Sequence, residues 1–192
     1  MKGHSKLINR IPVLFFDTET TGLGPGARVV QLAALVQDAP GSTRARFSHL
    51  IQPSDWIIDE GAQAVHGITL DDCKEFGIPQ AVAMNAFSAL VSSSKLIVAH
   101  NLNFDLGLIR TEVGSTSDHW VAMQSIDQFC TMRASTEMCK IPGRFGYKWP
   151  KLSELHNHLF GCDFEGAHDA MADVEACAKC YWEIQRLKEA SK

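Results

Sequence analysis

The sequence predicts one α/β domain built on a mixed sheet. Three observations carry that expectation. Strand-like apolar runs gather in the first third of the chain and are joined by short connections. Helical periodicities and short apolar strands then alternate to the end. No internal repeat, low-complexity tract or linker divides the 192 residues, a length at which one core forms without covalent staples. The domain is expected to span residues 1–192, with the polar, slightly basic residues 1–10 flexible.

Val13 to Asp17 (VLFFD) reads as a buried strand that continues to Glu19. Gly22 to Ala27 (GLGPGA) is a turn. Val29 to Val36 and Ala45 to Ile51 are two further strands, and the short connections predict an antiparallel meander. Asp59 to Val65 is a short helix. Pro79 opens the next helix, whose apolar stripe is Ala83, Phe87, Leu90 and Val91. Leu96 to Ala99 is a short buried strand. Asn103 is the expected N-cap of a helix carrying Leu106, Ile109 and Val113. Ser125 to Met132 is expected to be a strand, and Ile141 to Pro150 (IPGRFGYKWP) a Gly/Pro-rich loop. Leu152, Leu155 and Leu159 fit a helix that Gly161 ends. The last helix runs from about Asp169 to about Leu187, with Ala170, Val174, Cys177, Tyr181 and Ile184 on its buried stripe.

Hydrophobic residues make up 45% and charged residues 21%, an ordinary globular mixture. No apolar run is long enough to cross a bilayer, and the first residues lack the apolar stretch of a signal peptide. The six cysteines therefore read as reduced thiols in a cytoplasmic protein. The net charge of −4 argues against a protein that coats long nucleic-acid duplexes, because phosphate affinity comes from Lys and Arg.

Where the negative charge sits is more informative than its sum. Asp17 and Glu19 lie two apart at the end of an apolar strand, so their side chains share a face. Two like charges about 4 Å apart repel by roughly 4 kcal/mol at an effective dielectric near 20, a cost that a divalent cation reverses. Alone, Asp-x-Glu also describes a solvent-facing acidic turn. Asp105 falls in the first turn of a helix, where the helix dipole favours any acid. Asp169 can cap the last helix, leaving His168 on the loop before it and Asp173 one turn in. A mobile base beside a fixed acid suits hydrolysis, although histidines near helix starts are common.

Together these residues form a pattern. Phe16-Asp17-Thr18-Glu19-Thr20-Thr21-Gly22-Leu23, Asn101-x2-Phe104-Asp105 and His168-x4-Asp173 resemble, in order, the three motifs of the DEDD 3′–5′ exonucleases, in their histidine subclass. The resemblance spans about residue 12 to about residue 188 without a motif substitution. It is nearest to the proofreading exonuclease subunits of bacterial replicative polymerases and their phage and stand-alone relatives.

That resemblance implies a ribonuclease H-like fold, a five-stranded mixed sheet flanked by helices. It implies that Asp17, Glu19, Asp105 and Asp173 hold two Mg²⁺ or Mn²⁺ ions and that His168 is the general base. Two such ions, about 3.5–4 Å apart, stabilise both the attacking and the leaving oxygen of a phosphodiester. Hard cations take oxygen ligands, and a histidine side chain suits proton acceptance near neutral pH. The implied partner is a nucleic acid 3′ end, with release of nucleoside 5′-monophosphates. The likeness puts Thr20, Leu23 (as an apolar wedge), His66, Asn101 and Phe104 around the terminal nucleotide, with Glu19 near its 3′-hydroxyl; core packing equally accounts for Leu23 and Phe104. Arg144, Lys148 and Lys151, interleaved with Phe145, Tyr147 and Trp149, suit contact with a single strand, as they also suit a solvated loop.

Two alternatives remain at this point. One is an exoribonuclease, since the catalytic residues do not distinguish sugars; the spelling Asp17-Thr18-Glu19-Thr20 favours DNA. The other is a nucleic-acid-binding module without catalysis, which a missing carboxylate or histidine would have favoured. The few residues after the last helix predict no long tether to a polymerase, and the sequence identifies no polymerase or repair partner. Cys177-x2-Cys180 reads as core rather than half a zinc site, and His156-Asn157-His158 as surface.

Overall fold

A computed structural model describes residues 11–192, so the expectation for residues 1–10 lies outside the described residues. Val13–Thr20 (β1) lies at the centre of the sheet. Val13, Leu14, Phe15 and Phe16 leave it no polar face, and all four are buried. Val29–Gln37 (β2) pairs antiparallel with β1, and Thr43–Leu50 (β3) pairs antiparallel with β2. The expected meander is therefore present, with β3 as its half-exposed edge.

Glu60–His66 (α1), Leu70–Phe76 (α2) and Gln80–Ser92 (α3) lead into Leu96–Ala99 (β4), which runs parallel to β1. Leu102–Val113 (α4) and Asp118–Ser125 (α5) precede Asp127–Cys130 (β5), parallel to β4. The sheet has five strands in the order β3-β2-β1-β4-β5, as the resemblance implied. Thr131–Cys139 (α6), a small hairpin of Pro142–Gly143 (β6) and Gly146–Tyr147 (β7), Leu152–Phe160 (α7) and Ala170–Ala190 (α8) complete the order. Among the described residues no helix is long and apolar enough to cross a membrane.

Alternation along β1 divides the core. Leu14 and Phe16 pack with Phe87 of α3 and with Leu106 and Ile109 of α4. Val13 and Phe15 pack on the opposite face with Val174, Cys177 and Tyr181 of α8. Phe15 meets the Tyr181 ring edge-on at 5.4 Å between centroids. Leu155 of α7 closes a smaller cluster against Cys180 and Ile184. Cys177 and Cys180 are free, buried thiols, as expected of core residues.

The structure corrects several local expectations. The 125–132 strand shrinks to β5 between two helices. The α5 start is marked by Ser117, whose Oγ accepts from the Trp120 amide at 3.2 Å. Helix α2 was not expected, yet its Thr69 and Asp72 exchange side chain–backbone hydrogen bonds at 3.1 and 2.8 Å, a capping box. The α4 cap is Asn101, in the left-handed region at φ 68°, and Asn103 lies inside the first turn. The helix leaves β4 through a reversal that asparagine tolerates. The 141–150 loop contains the β6–β7 hairpin. His156 is buried rather than on the surface, with Nδ1 2.9 Å from the Cys162 carbonyl and its ring against Phe160 and Phe164.

Candidate active site

The two helix layers deliver carboxylates to one end of β1. Asp17 and Glu19 continue the Val13–Phe15 register toward α8, and Asp173 comes from the first turn of α8. One oxygen from each of Asp17, Glu19 and Asp173 lies within 4.8 Å of the others. Thr18 points to the opposite layer and donates from Oγ1 to Asp105 Oδ1 at 2.8 Å. Asp105, in the first turn of α4, is only 2% exposed. The β1 register shifts between Glu19 and Thr20, an irregularity of the kind that re-aims side chains beside functional sites.

His168 sits on the loop before α8, exposed and at φ 72°. A left-handed histidine costs about 1–2 kcal/mol. Its amide donates to Asp173 Oδ2 at 3.3 Å, which ties the loop to the acid. Asp169 caps α8, its Oδ1 accepting from the Met171 and Ala172 amides at 3.1 and 3.0 Å. Gln31 of β2 accepts from the Ala170 amide at 3.3 Å.

The electrostatics follow from burial and crowding. Burial, then the charges of Asp105, Asp173 and Glu19, raise the Asp17 carboxyl well above its ordinary range. Glu19 is pushed up to about 8 by burial, then by Asp173 and Asp105. Asp105 rises to about 7 through burial, against the lowering effect of the Thr18 hydrogen bond. Asp173 rises to about 6, again mainly through burial. Among the described residues no Lys or Arg forms an ion pair with any of the four. Clustered carboxylates match the donor set of hard divalent cations, and Asp17, Glu19 and Asp173 are placed so that they could hold one.

This crowding has a measurable consequence for the metal-free chain. A carboxyl whose folded pKa exceeds its unfolded value makes the native state the better proton binder, so stability falls as pH rises between the two values. His100 is buried neutral, lowered to about 4 by burial, and acts in the opposite sense, but only below its unfolded value near 6.5. Between pH 6.5 and 8 the site carboxylates therefore dominate. Thermal unfolding in EDTA is expected to show a melting temperature that declines across that window, and Mn²⁺ is expected to raise it more at pH 8 than at pH 6.5. A flat profile in EDTA would contradict the crowding.

Beside Glu19 a cleft of about 430 Å³ is lined by Thr20, Gly22, Leu23, Val65, His66 and Phe104, among others. Leu23 is 86% exposed, so core packing does not explain it, whereas Phe104 is half-buried against the α3–α4 side of the core. His66 Nε2 lies 3.2 Å from the Thr20 carbonyl, and its Nδ1 accepts from the Ile68 amide at 3.0 Å. Together these bonds select the Nε2–H tautomer. Burial lowers the His66 pKa. A Cβ on Gly22 would lie 2.2 Å from Asp59 Oδ2, so a side chain there would have to displace the exposed Asp59 carboxylate. Asn101 does not line this cleft; its carbonyl accepts from the Phe104 amide at 2.8 Å. A roomier cleft of about 630 Å³ lies farther along α8 around Phe160 and Trp182, and none of the four acids or His168 lines it.

Lys148 and Lys151, beside the β6–β7 hairpin and at the start of α7, do not line this cleft. Lys148 Nζ is already held by Glu154 at 2.6 and 2.8 Å. Sequence reasoning placed Asp169 as the cap of the last helix, which it is, and passed over Thr18, Gln31 and Asp59 in this site. Thr18 was legible, since alternation turns it away from Asp17 and Glu19; the others depend on contacts between distant segments.

The Exonuclease (RNase_T) family model matches residues 14–181. The chain belongs to the exonuclease family. The uncharacterized exonuclease CP81 of Escherichia phage 186 is 33% identical over 165 residues, covering 83% of this chain and 81% of that protein. The 3′-5′ exonuclease DinG of Bacillus subtilis is 32% identical over 187 residues, covering 95% of this chain but 18% of that one. DNA polymerase III subunit epsilon of Treponema pallidum is 29% identical over 167 residues, covering 86% and 73% of the two chains. Among solved structures, E. coli Exonuclease I in complex with a dA16 oligonucleotide shares the fold, with a TM-score of 0.78 at 21% identity. The alignment covers 94% of this exonuclease-family chain and 42% of Exonuclease I. By family the chain is a 3′–5′ exonuclease hydrolase.

Proposed function

We propose that this exonuclease removes nucleotides one at a time from the 3′ end of DNA and releases nucleoside 5′-monophosphates. The observation that carries the reading is the clustering of Asp17, Glu19 and Asp173, with Asp105 near enough to raise Asp17, and no Lys or Arg paired to them among the described residues, inside a chain that matches the exonuclease family model. In this reading the four carboxylates hold two Mg²⁺ or Mn²⁺ ions, which when bound supply charge stabilisation for the attacking and leaving oxygens of the phosphodiester.

The residues divide the remaining work. Thr18 fixes Asp105 through its hydroxyl, so that acid does not swing away when charged. The Asp169 cap holds the first turn of α8 and hence Asp173. His168, exposed on its loop, takes the proton of the attacking water at an imidazole nitrogen. The cleft beside Glu19 receives the terminal nucleotide, with exposed Leu23 against its base and Phe104 and His66 on the walls. The Thr20 carbonyl is held by His66 and its hydroxyl donates to the Gly22 carbonyl at 2.8 Å, which fixes the turn that carries Leu23. DNA is favoured by the motif spelling at Asp17–Thr20, and by relatives whose names refer to DNA polymerase or whose complexes hold a dA16 strand.

The test uses 5′-labelled single-stranded DNA, duplex DNA, mismatched duplex and RNA, each with Mg²⁺ or Mn²⁺. Shortening of DNA in single-nucleotide steps from the 3′ end is expected, with mononucleotide 5′-phosphates as product. Cleavage of RNA faster than DNA would overturn the substrate assignment, and internal cuts would overturn the exonucleolytic one.

A further inference from the structure

The β6–β7 hairpin presents side chains that a folded core would ordinarily hide. Phe145 is 92% exposed, Trp149 58% and Tyr147 47%. Tyr147 and Trp149 lie two apart in extended chain, so they share a face. Each end of the row carries a guanidinium: Arg144 sits 5.0 Å from the Phe145 ring centre and Arg133 of α6 sits 5.6 Å from that of Trp149. The stretch from Lys140 to Lys151 contains Lys140, Arg144, Lys148 and Lys151 and no acid, in a chain whose net charge is −4. Among the described residues Lys148 is the one of these cations in an ion pair, with Glu154, whose charge Lys151 also feels.

The hairpin is fastened to the catalytic end of the sheet. The Pro150 carbonyl at its exit accepts from His100 Nε2 at 3.0 Å, and His100 Nδ1 lies 3.0 Å from Thr131 Oγ1. His100 directly precedes Asn101 and the helix that carries Asp105. Thr131 Oγ1 in turn lies 3.6 Å from Cys177 Sγ, one turn beyond Asp173 on α8. The anchor thus touches both helices that supply the carboxylates, while the aromatic row points to solvent.

Aromatic rings flanked by guanidinium groups, without acids, fit the upstream part of a single strand, whose bases stack and whose phosphates meet the cations. We propose that Phe145, Tyr147 and Trp149, with Arg133, Arg144 and Lys151, form a platform that grips unpaired nucleotides of the substrate several positions before the 3′ end. The proposal rests on the nuclease reading of the carboxylate site and adds to it a preference for longer single-stranded substrates. It moves the contact from Lys148, which Glu154 holds, to the rings and to Arg133, Arg144 and Lys151.

The experiment compares kcat/KM on dT2 and dT12 for wild type and for the Phe145→Ala/Trp149→Ala double variant, in one buffer. Wild type is expected to favour dT12, and the ratio dT12/dT2 is expected to fall about tenfold or more in the double variant, the scale of stacking lost at one to two bases. The Arg144→Glu/Lys151→Glu variant is expected to show a shallower dependence of KM for dT12 on salt. Trp149→Phe is expected to recover most of the ratio, which a folding defect would not allow. A double-variant ratio within twofold of wild type overturns the platform and leaves the hairpin to an acidic protein partner. Failure of wild type to degrade either oligonucleotide would instead overturn the nuclease reading itself, so the two failures are separable.

Discussion

Asp17→Asn is expected to abolish hydrolysis and at the same time to raise the melting temperature of the metal-free chain. Asp17 is held above its ordinary range by burial and by the charges of Asp105, Asp173 and Glu19. An amide of the same shape removes a charge from that cluster without opening a cavity, so the metal-free fold gains stability at pH 7–8. The same change removes a ligand that the cation site needs. A loss of several kcal/mol of transition-state stabilisation corresponds to about 10³-fold or more in rate. Differential scanning calorimetry in EDTA and the end-label assay in Mg²⁺ read the two effects separately. A variant that is both less active and less stable would point to ordinary structural damage instead.

His168→Ala has the second-largest expected effect, and a different signature. His168 is exposed and packs against nothing in the core, so its removal leaves the fold and the carboxylate cluster in place. Loss of a general base lowers kcat by about 10²–10⁴-fold. KM changes little, because the cleft around Leu23 and Phe104 is untouched. The Mn²⁺-induced rise in melting temperature is retained. Activity within about threefold of wild type would remove His168 from the mechanism, since a contribution that small lies below the range for a positioned base.

These expectations depend on residues whose legibility in the sequence was uneven. The β1 strand was plain because Val13–Phe16 is apolar without a break, and a strand buried on both faces needs that. Helix α8 was plain because its stripe, Ala170 to Ile184, recurs over about four turns and the helix begins at a cap, Asp169. The spacing of Asp17 and Glu19 gave their shared face directly. What could not be read was anything fixed by contact between distant segments. Asp105 alone is a helix-start acid; only its bond with Thr18 shows where it is held. Helices α2 and α5 are seven and eight residues long, too short for a periodic stripe, so only their caps announced them. Lys148 read as a free cation because Glu154, six residues on, becomes its partner only when α7 starts where it does. His156 read as surface because part of its shelter, the Cys162 carbonyl and Phe164, reaches it only after the chain turns at Gly161.

The most direct test is calorimetric titration of the metal-free chain with Mn²⁺ at pH 7, in two buffers that differ in protonation enthalpy. Carboxyls raised toward neutrality by burial and by one another must shed protons when a cation binds them. The account predicts saturable binding that approaches two ions per chain, with net proton release, and its loss or weakening in Asp17→Asn. Absence of saturable binding, or binding that Asp17→Asn leaves unchanged, would contradict it.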